Sequence, residues 1–312
     1  MFAIWYHIRQ AIRDACNDNT NPLTIHLNED LAPEWLDSKD TRKLITEFRD
    51  LGFTPGTPYV VPEMSGMSIL SLFHDKYLGV VYDHPQTGRF FDLLHRDDAG
   101  NYLTVTTAPL GADLDPLPGF EKIFLKEISV QQAFDAIDER CGSLVAHVHS
   151  DTDFRETVET YYKKETAYRN NKGGVSYDEF RKLAESSGKS VAPKELQEAY
   201  LALKQEELYQ WNWAGTEEYF KQNSIPEEEQ YGDACFFIVP QNADPSAFVH
   251  YLCNYDIVDD NHVEKLAKAV AEESSITDLF TRINAARSPE IQAERCGEVT
   301  FPVNATVFKI AA

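Results

Sequence analysis

The chain has 312 residues, which is enough for one large domain or two of ordinary size, and its 43% hydrophobic and 12% aromatic content is typical of a folded core. The net charge is −22, and the segments 1–142, 143–230 and 231–312 carry −10, −6 and −6. Nucleic acids and anionic membrane surfaces are bound by clustered Lys and Arg side chains, so this charge disfavours both as partners.

The N-terminal run MFAIWYHIRQAIRDAC is short and is interrupted by His7 and Arg9, so it predicts an amphipathic helix at 2–16 rather than a signal peptide. No stretch approaches the roughly 20 apolar residues of a membrane-spanning helix. The five cysteines are scattered without a C-x-x-C pair, which favours free thiols in a reducing compartment over a disulfide framework or a zinc ribbon. These features together predict a cytoplasmic protein.

Residues 1–142 are predicted to form an α+β unit, an antiparallel β-meander with helices on one face. A helix is expected at 40–51 and another at 130–140, where Ser129 is a candidate N-cap. Short apolar runs separated by turn residues predict the strands, with the first five pairing in order: 57–62, 68–73, 77–83, 89–94, 101–107 and 123–127.

Residues 143–230 are predicted to be a helical segment. Apolar spacing indicates helices at 151–169, 176–188 and 193–213, separated by the polar break RNNKGG and by a Gly-ended turn. Ser176 and Glu179 have the spacing of a capping box. The acidic stretch 224–232 is a candidate linker.

Residues 231–312 are predicted to be either a small αβ domain or an extension that adds strands to the first sheet. The patterns indicate strands at 235–240, 299–303 and 305–310 and helices at 260–272 and 275–287.

The sharpest candidate for chemistry is the sequence SLVAHVHSD. On a strand, His147 and His149 would point the same way, and with Asp151 nearby they could hold a divalent metal such as Zn. The alternative is a short edge strand or the start of a helix that carries two partly exposed imidazoles, because nothing in the sequence marks a third and fourth ligand.

A second candidate is an interface on the helical segment, which is rich in aromatic residues. Tyr and Trp are enriched at protein interfaces because they bury a large area and keep a polar tip, although amphipathic helices also bury such residues in a core. The densest cluster is Tyr209, Trp211, Trp213, Tyr219 and Phe220.

The chain carries neither a G-x-S-x-G nucleophile motif nor a phosphate-binding loop, so no cofactor is predicted. The leading hypothesis is a non-enzymatic binding protein whose partner is another protein, with a basic one favoured by the charge. Immunity proteins and secretion chaperones have this general character, by analogy only. The alternative hypothesis is a metal-dependent hydrolase that uses His147 and His149.

Overall fold

The computed structural model describes residues 22–64, 66–85, 88–109, 114–142, 150–186, 192–230, 234–253, 275–285, 287, 289 and 292–311. The helices predicted at 2–16 and 260–272 lie outside these residues. The chain divides into two compact units, Met1–Glu165 and Thr166–Ala312. This division differs from the boundaries predicted after residues 142 and 230.

The first unit is built on a seven-stranded sheet in the order β1 to β7. Neighbouring strands are antiparallel except β6 and β7, which are parallel. The strands are β1 (Asn28–Glu29), β2 (Thr54–Val61), β3 (Met67–Phe73), β4 (Leu78–His84), β5 (Gly88–Arg96), β6 (Tyr102–Thr106) and β7 (Phe120–Phe124). The predicted five-strand meander corresponds to β2–β6, and the α+β fold class is confirmed.

Helices α1 (Lys39–Asp50) and α2 (Val130–Cys141) pack on one face of this sheet, as predicted. Ser38 caps α1, and Ser129 with Gln132 forms a reciprocal capping box at the start of α2. Phe48 of α1 and Ile137 of α2 are fully buried there with Phe91 and Leu93 of β5. The odd-numbered residues of β5 therefore face α1 and α2.

The opposite face of the sheet is covered as well. Helix α3 (Asp151–Asn171) places Phe154, Val158 and Tyr162 against Ile69 and Val80 of the central strands. From their spacing these residues were predicted to belong to a separate helical segment, because a pattern of spacing does not show which surface a helix buries.

The second unit combines helices with a three-stranded antiparallel sheet in the order β8-β10-β9. Rings of Phe237, Phe280 and Phe308 contact one another in its core. Its elements are α4 (Tyr177–Ser186), α5 (Pro193–Asn223), α6 (Glu227–Gln230), β8 (Ala234–Pro240), α7 (Pro245–Cys253), α8 (Ile276–Ala285), β9 (Glu294–Val299) and β10 (Ala305–Ala311).

Three predicted elements of this unit differ in extent. Helix α5 continues to Asn223, ten residues beyond the predicted end, and the candidate linker contains the short helix α6. The predicted strand 299–303 is mostly a turn between β9 and β10, since Pro302 has no N–H to donate to a strand ladder. The C-terminal strands pair with one another, so they form a sheet of their own.

Candidate functional site

Asp151, the one described member of the predicted metal site, binds protein groups with both carboxylate oxygens. Its Oδ1 accepts from the Thr57 N–H at 3.0 Å and from Ser71 Oγ at 3.4 Å, and its Oδ2 accepts from Thr57 Oγ1. This carboxylate therefore joins the first turn of α3 to β2 and β3. His147 and His149 lie outside the described residues, and in the part of the chain that is described no three metal-ligating side chains gather.

The contact of Asp151 with β2 depends on a bulge in that strand between Pro55 and Pro58. A Cβ added at Gly56 would lie 2.4 Å from the ring of Phe73 and 2.7 Å from Oδ1 of Asp151. Only glycine allows the strand to come this close to the helix end. The local geometry thus explains Asp151 as a group that docks α3 on the sheet.

The five aromatic residues of the predicted interface divide into two sets on α5. Trp211, Tyr219 and Phe220 are buried within the second unit. Phe220 contacts the ring of Phe236 edge-on with 5.1 Å between ring centroids, and the Tyr219 hydroxyl donates to the backbone oxygen of Cys296. These three residues build the core.

Tyr209 and Trp213, by contrast, are 58% and 55% exposed. They are four residues apart, so their side chains are neighbours on one helix face. Among the described residues, Leu31 of the first unit is the other large apolar side chain with such exposure. Of the five residues of the predicted interface, these two are therefore the ones left on the surface.

Glutamates flank the aromatic pair on the same face. Glu206 lies three residues before Tyr209, Glu217 lies four residues after Trp213, and both are exposed. We call Glu206, Tyr209, Trp213 and Glu217 the α5 stripe. Lys221 is exposed one turn further along, so the stripe is bounded by a basic residue at its C-terminal end.

The opposite face of α5 explains why the stripe points outward. The Asn212 Oδ1 atom accepts from the Ile238 N–H at 2.9 Å, so it satisfies a backbone group of β8. A Cβ at Gly215 would lie 3.0 Å from the Ile238 side chain, which shows how closely the helix and strand approach. These contacts hold α5 on β8, while Tyr209 and Trp213 remain exposed.

A buried ion pair fixes the same helix where the stripe begins. Lys204 is only 3% exposed, and its Nζ donates to Glu207 Oε2 at 2.8 Å and to the backbone oxygen of Gly173. The Glu207 Oε1 atom accepts from the Val175 N–H at 3.2 Å. Burial raises the pKa of Glu207, whereas Lys204 opposes this shift.

The polar break RNNKGG thereby contributes Asn170, Gly173 and Gly174 to the interior of the second unit. Gly174 has a φ of +77°, and a Cβ there would lie 2.1 Å from the Glu207 carboxylate. Asn170 Nδ2 donates to the Pro302 oxygen at 3.1 Å, and Asn171 Oδ1 accepts from the Asn304 N–H at 2.7 Å. Sequence reasoning missed this network; the Gly-Gly pair, which permits two positive φ values, was the available signal.

No protein-family model, curated protein or solved structure matches this chain. None of the described helices has both the length and the apolar character that crossing a membrane requires.

Proposed function

We propose that this protein is a binding module that docks a basic segment of another protein on the α5 stripe. The observation that carries the proposal is the pair of exposed aromatic rings, Tyr209 and Trp213, on a helix face otherwise lined by glutamates. Aromatic side chains supply much of the binding free energy at protein interfaces because they bury a large area with few rotatable bonds.

Charge favours a partner segment rich in Lys and Arg. Cations bind over the faces of Trp and Tyr rings, and the carboxylates of Glu206 and Glu217 lie within one turn of those rings. The net charge of −22 also attracts basic proteins at long range and repels polyanions, so nucleic acid is disfavoured as a partner.

The free thiols of Cys141, Cys235, Cys253 and Cys296 suit a reducing compartment, which supports a cytoplasmic location.

The stripe also lies on a rigid element. Lys204 and Glu207 hold α5 where the stripe begins, and Asn212 holds it between the two aromatic residues. A docking surface that is ordered before binding loses little conformational entropy on association.

A defined peptide tests the proposal. We would titrate the protein with a synthetic peptide that alternates Lys and Leu and measure the dissociation constant by calorimetry. The double variant Tyr209→Ala with Trp213→Ala removes both rings and no charge, so we expect the dissociation constant to rise about tenfold or more. Leu31→Ala is the matched control, since Leu31 is 90% exposed and lies in the other unit. Equal affinities for the double variant and the wild type would overturn the proposal.

Two pairs of Glu→Gln substitutions test whether the acidic residues of the stripe contribute to binding. Replacing Glu206 and Glu217 with Gln changes the net charge by the same amount as replacing Glu227 and Glu228, which are exposed on α6. We expect the first pair to weaken peptide binding more than the second and to reduce its dependence on salt. The same loss from both pairs would show that only the total charge matters and would argue against the stripe.

A further inference from the structure

A cleft of about 730 Å³ opens at the C-terminal end of α2 in the first unit, far along the chain from the α5 stripe. It lies between that helix end, the end of β5, the start of β6 and the segment before β7. We call it the His95 cleft. The residues that matter for its chemistry are His95, Asp97, Leu103, Leu117, Arg140 and Cys141.

His95 is the notable group in this lining. It lies on β5 opposite Leu103, on the face toward α1 and α2, and is only 3% exposed. Its Nδ1 and Nε2 atoms are both buried, and neither has a hydrogen-bond partner within the part of the chain that the structure describes. A buried imidazole with two unused nitrogens is uncommon, because buried polar atoms are nearly always hydrogen-bonded.

The two nitrogens indicate what kind of group would satisfy them. A neutral imidazole offers one donor and one acceptor, and a hydroxyl group can bond to either. The charged groups of the lining already have partners: Arg140 pairs with Glu121, and Asp97 accepts from the backbone and side chain of Asn101. With these carboxylates at the rim, a negatively charged ligand is disfavoured.

The walls indicate the rest of the ligand. Leu103, Pro116, Leu117 and Pro118 present apolar surface to the cleft. The cleft is open to solvent, and its combination of apolar walls with a few polar groups is typical of sites that bind small organic molecules.

We propose that the His95 cleft binds a small, uncharged and largely apolar compound that carries a hydroxyl group, with the hydroxyl bonded to His95 and the apolar part against Leu103 and Leu117. This site shares no residue with the α5 stripe. It adds a second, small-molecule binding activity to the protein.

Cys141 provides a reporter inside the cleft. Burial and the nearby Glu121 raise the pKa of its thiol, and only the thiolate reacts with iodoacetamide, so the labelling is carried out at mildly alkaline pH. Mass spectrometry of the protein after proteolytic digestion then measures how much Cys141 is alkylated. Phenol is the probe, and two compounds of similar size serve for comparison. Toluene lacks the hydroxyl group, and benzoate carries a negative charge. We expect phenol to slow the labelling of Cys141 several-fold and the other two to slow it less, with no effect on the exposed Cys235. Equal effects of phenol on both cysteines, or none on Cys141, would overturn the proposal.

Two variants assign the effect to the cleft. In His95→Phe a ring of similar size lacks the nitrogens, so phenol should protect Cys141 no better than toluene does. Leu117→Trp, in a loop, should fill the cleft and abolish protection by every probe even if His95→Phe does not fold. Protection by phenol that persists unchanged in Leu117→Trp would contradict the proposed site.

Discussion

Lys204 lies on the inner face of α5 with its ammonium group buried, and its partners are Glu207 and the backbone oxygen of Gly173. Removing one member of a buried pair leaves the other charge in a poorly solvated place. The loss is therefore much larger than the small contribution of the intact pair itself.

The variant Lys204→Met keeps the length of the apolar stem and removes the charge. We expect the free energy of unfolding to fall by about 3–5 kcal/mol, because Glu207 is left buried without its cation. Denaturation with urea measures this. Lys194→Met is the control, since Lys194 is paired with Glu198 on the exposed surface of the same helix, where ion pairs contribute little. Similar losses in the two variants would refute a role for burial.

Asp92 on β5 is a second buried charge, on the face of the sheet toward α3. The Tyr82 hydroxyl donates to Asp92 Oδ2 at 3.1 Å. Lys122, which pairs with Glu165 at 3.0 Å, lies near enough to influence the pKa of Asp92. Burial raises the pKa of Asp92 above the ordinary value of a carboxyl group, and hydrogen bonds and Lys122 oppose the shift.

The variant Asp92→Asn removes this charge and keeps an oxygen to accept from Tyr82. We expect it to raise the free energy of unfolding by about 1 kcal/mol at neutral pH. Because the pKa of Asp92 is higher in the folded state than in the unfolded state, the wild type gains stability as pH falls through the folded pKa. The advantage of the variant should therefore shrink with falling pH. Asp98→Asn, in an exposed turn, is the control, and a difference for Asp92→Asn that is independent of pH would contradict the argument.

At the scale of elements, the placement of α3 on the sheet depends on its first residue. The Asp151 carboxylate accepts hydrogen bonds from the N–H and the hydroxyl of Thr57, and the bulge of β2 at Gly56 makes room for it. A helix that starts at a strand bulge in this way has its direction set by a few polar contacts, while Phe154 and Val158 supply the apolar contact area.

The variant Asp151→Ala leaves the N–H and hydroxyl of Thr57 without their acceptor. We expect the free energy of unfolding to fall by about 1–3 kcal/mol, measured by chemical denaturation. Glu156→Ala, at an exposed position on the same helix, should lose far less.

The same variant distinguishes a docking role from a metal-binding role. If Asp151 only docks α3, the loss is the same in EDTA and in the presence of Zn²⁺. A loss that appears only with Zn²⁺ would favour the predicted metal site with His147 and His149 instead.

At the scale of the whole molecule, acidic charge is spread over both units. Residues 1–165 carry 15 basic and 27 acidic side chains, and residues 166–312 carry 14 and 24. Neither unit therefore carries a net positive charge. If a basic partner binds as proposed, local features must decide where, and the α5 stripe combines two exposed aromatic rings with acidic side chains.

Strands, turns and helix caps were predicted well because the residues that specify each of them lie close together in the sequence. The meander strands, the N-cap at Ser129, the capping box at Ser176 and the start of α5 at Pro193 all appear where spacing and turn residues placed them. Alternation and cap chemistry act within a few residues, so they can be recognised without knowledge of the fold.

The candidate sites were less predictable. The aromatic cluster was singled out from the sequence, yet spacing alone did not separate buried Trp211 from exposed Trp213. The His95 cleft and the Lys204 pair gave no signal at all, because their members lie on different elements that meet only after folding.

The sequence by itself determined the acidic character, the α+β class and the order of most elements, since composition and short-range periodicity carry that information. Tertiary structure alone decided that both faces of the first sheet are covered, that Asp151 docks a helix, and which aromatic residues remain exposed. These outcomes depend on which surfaces meet, and a contact between distant residues leaves no pattern in the local sequence.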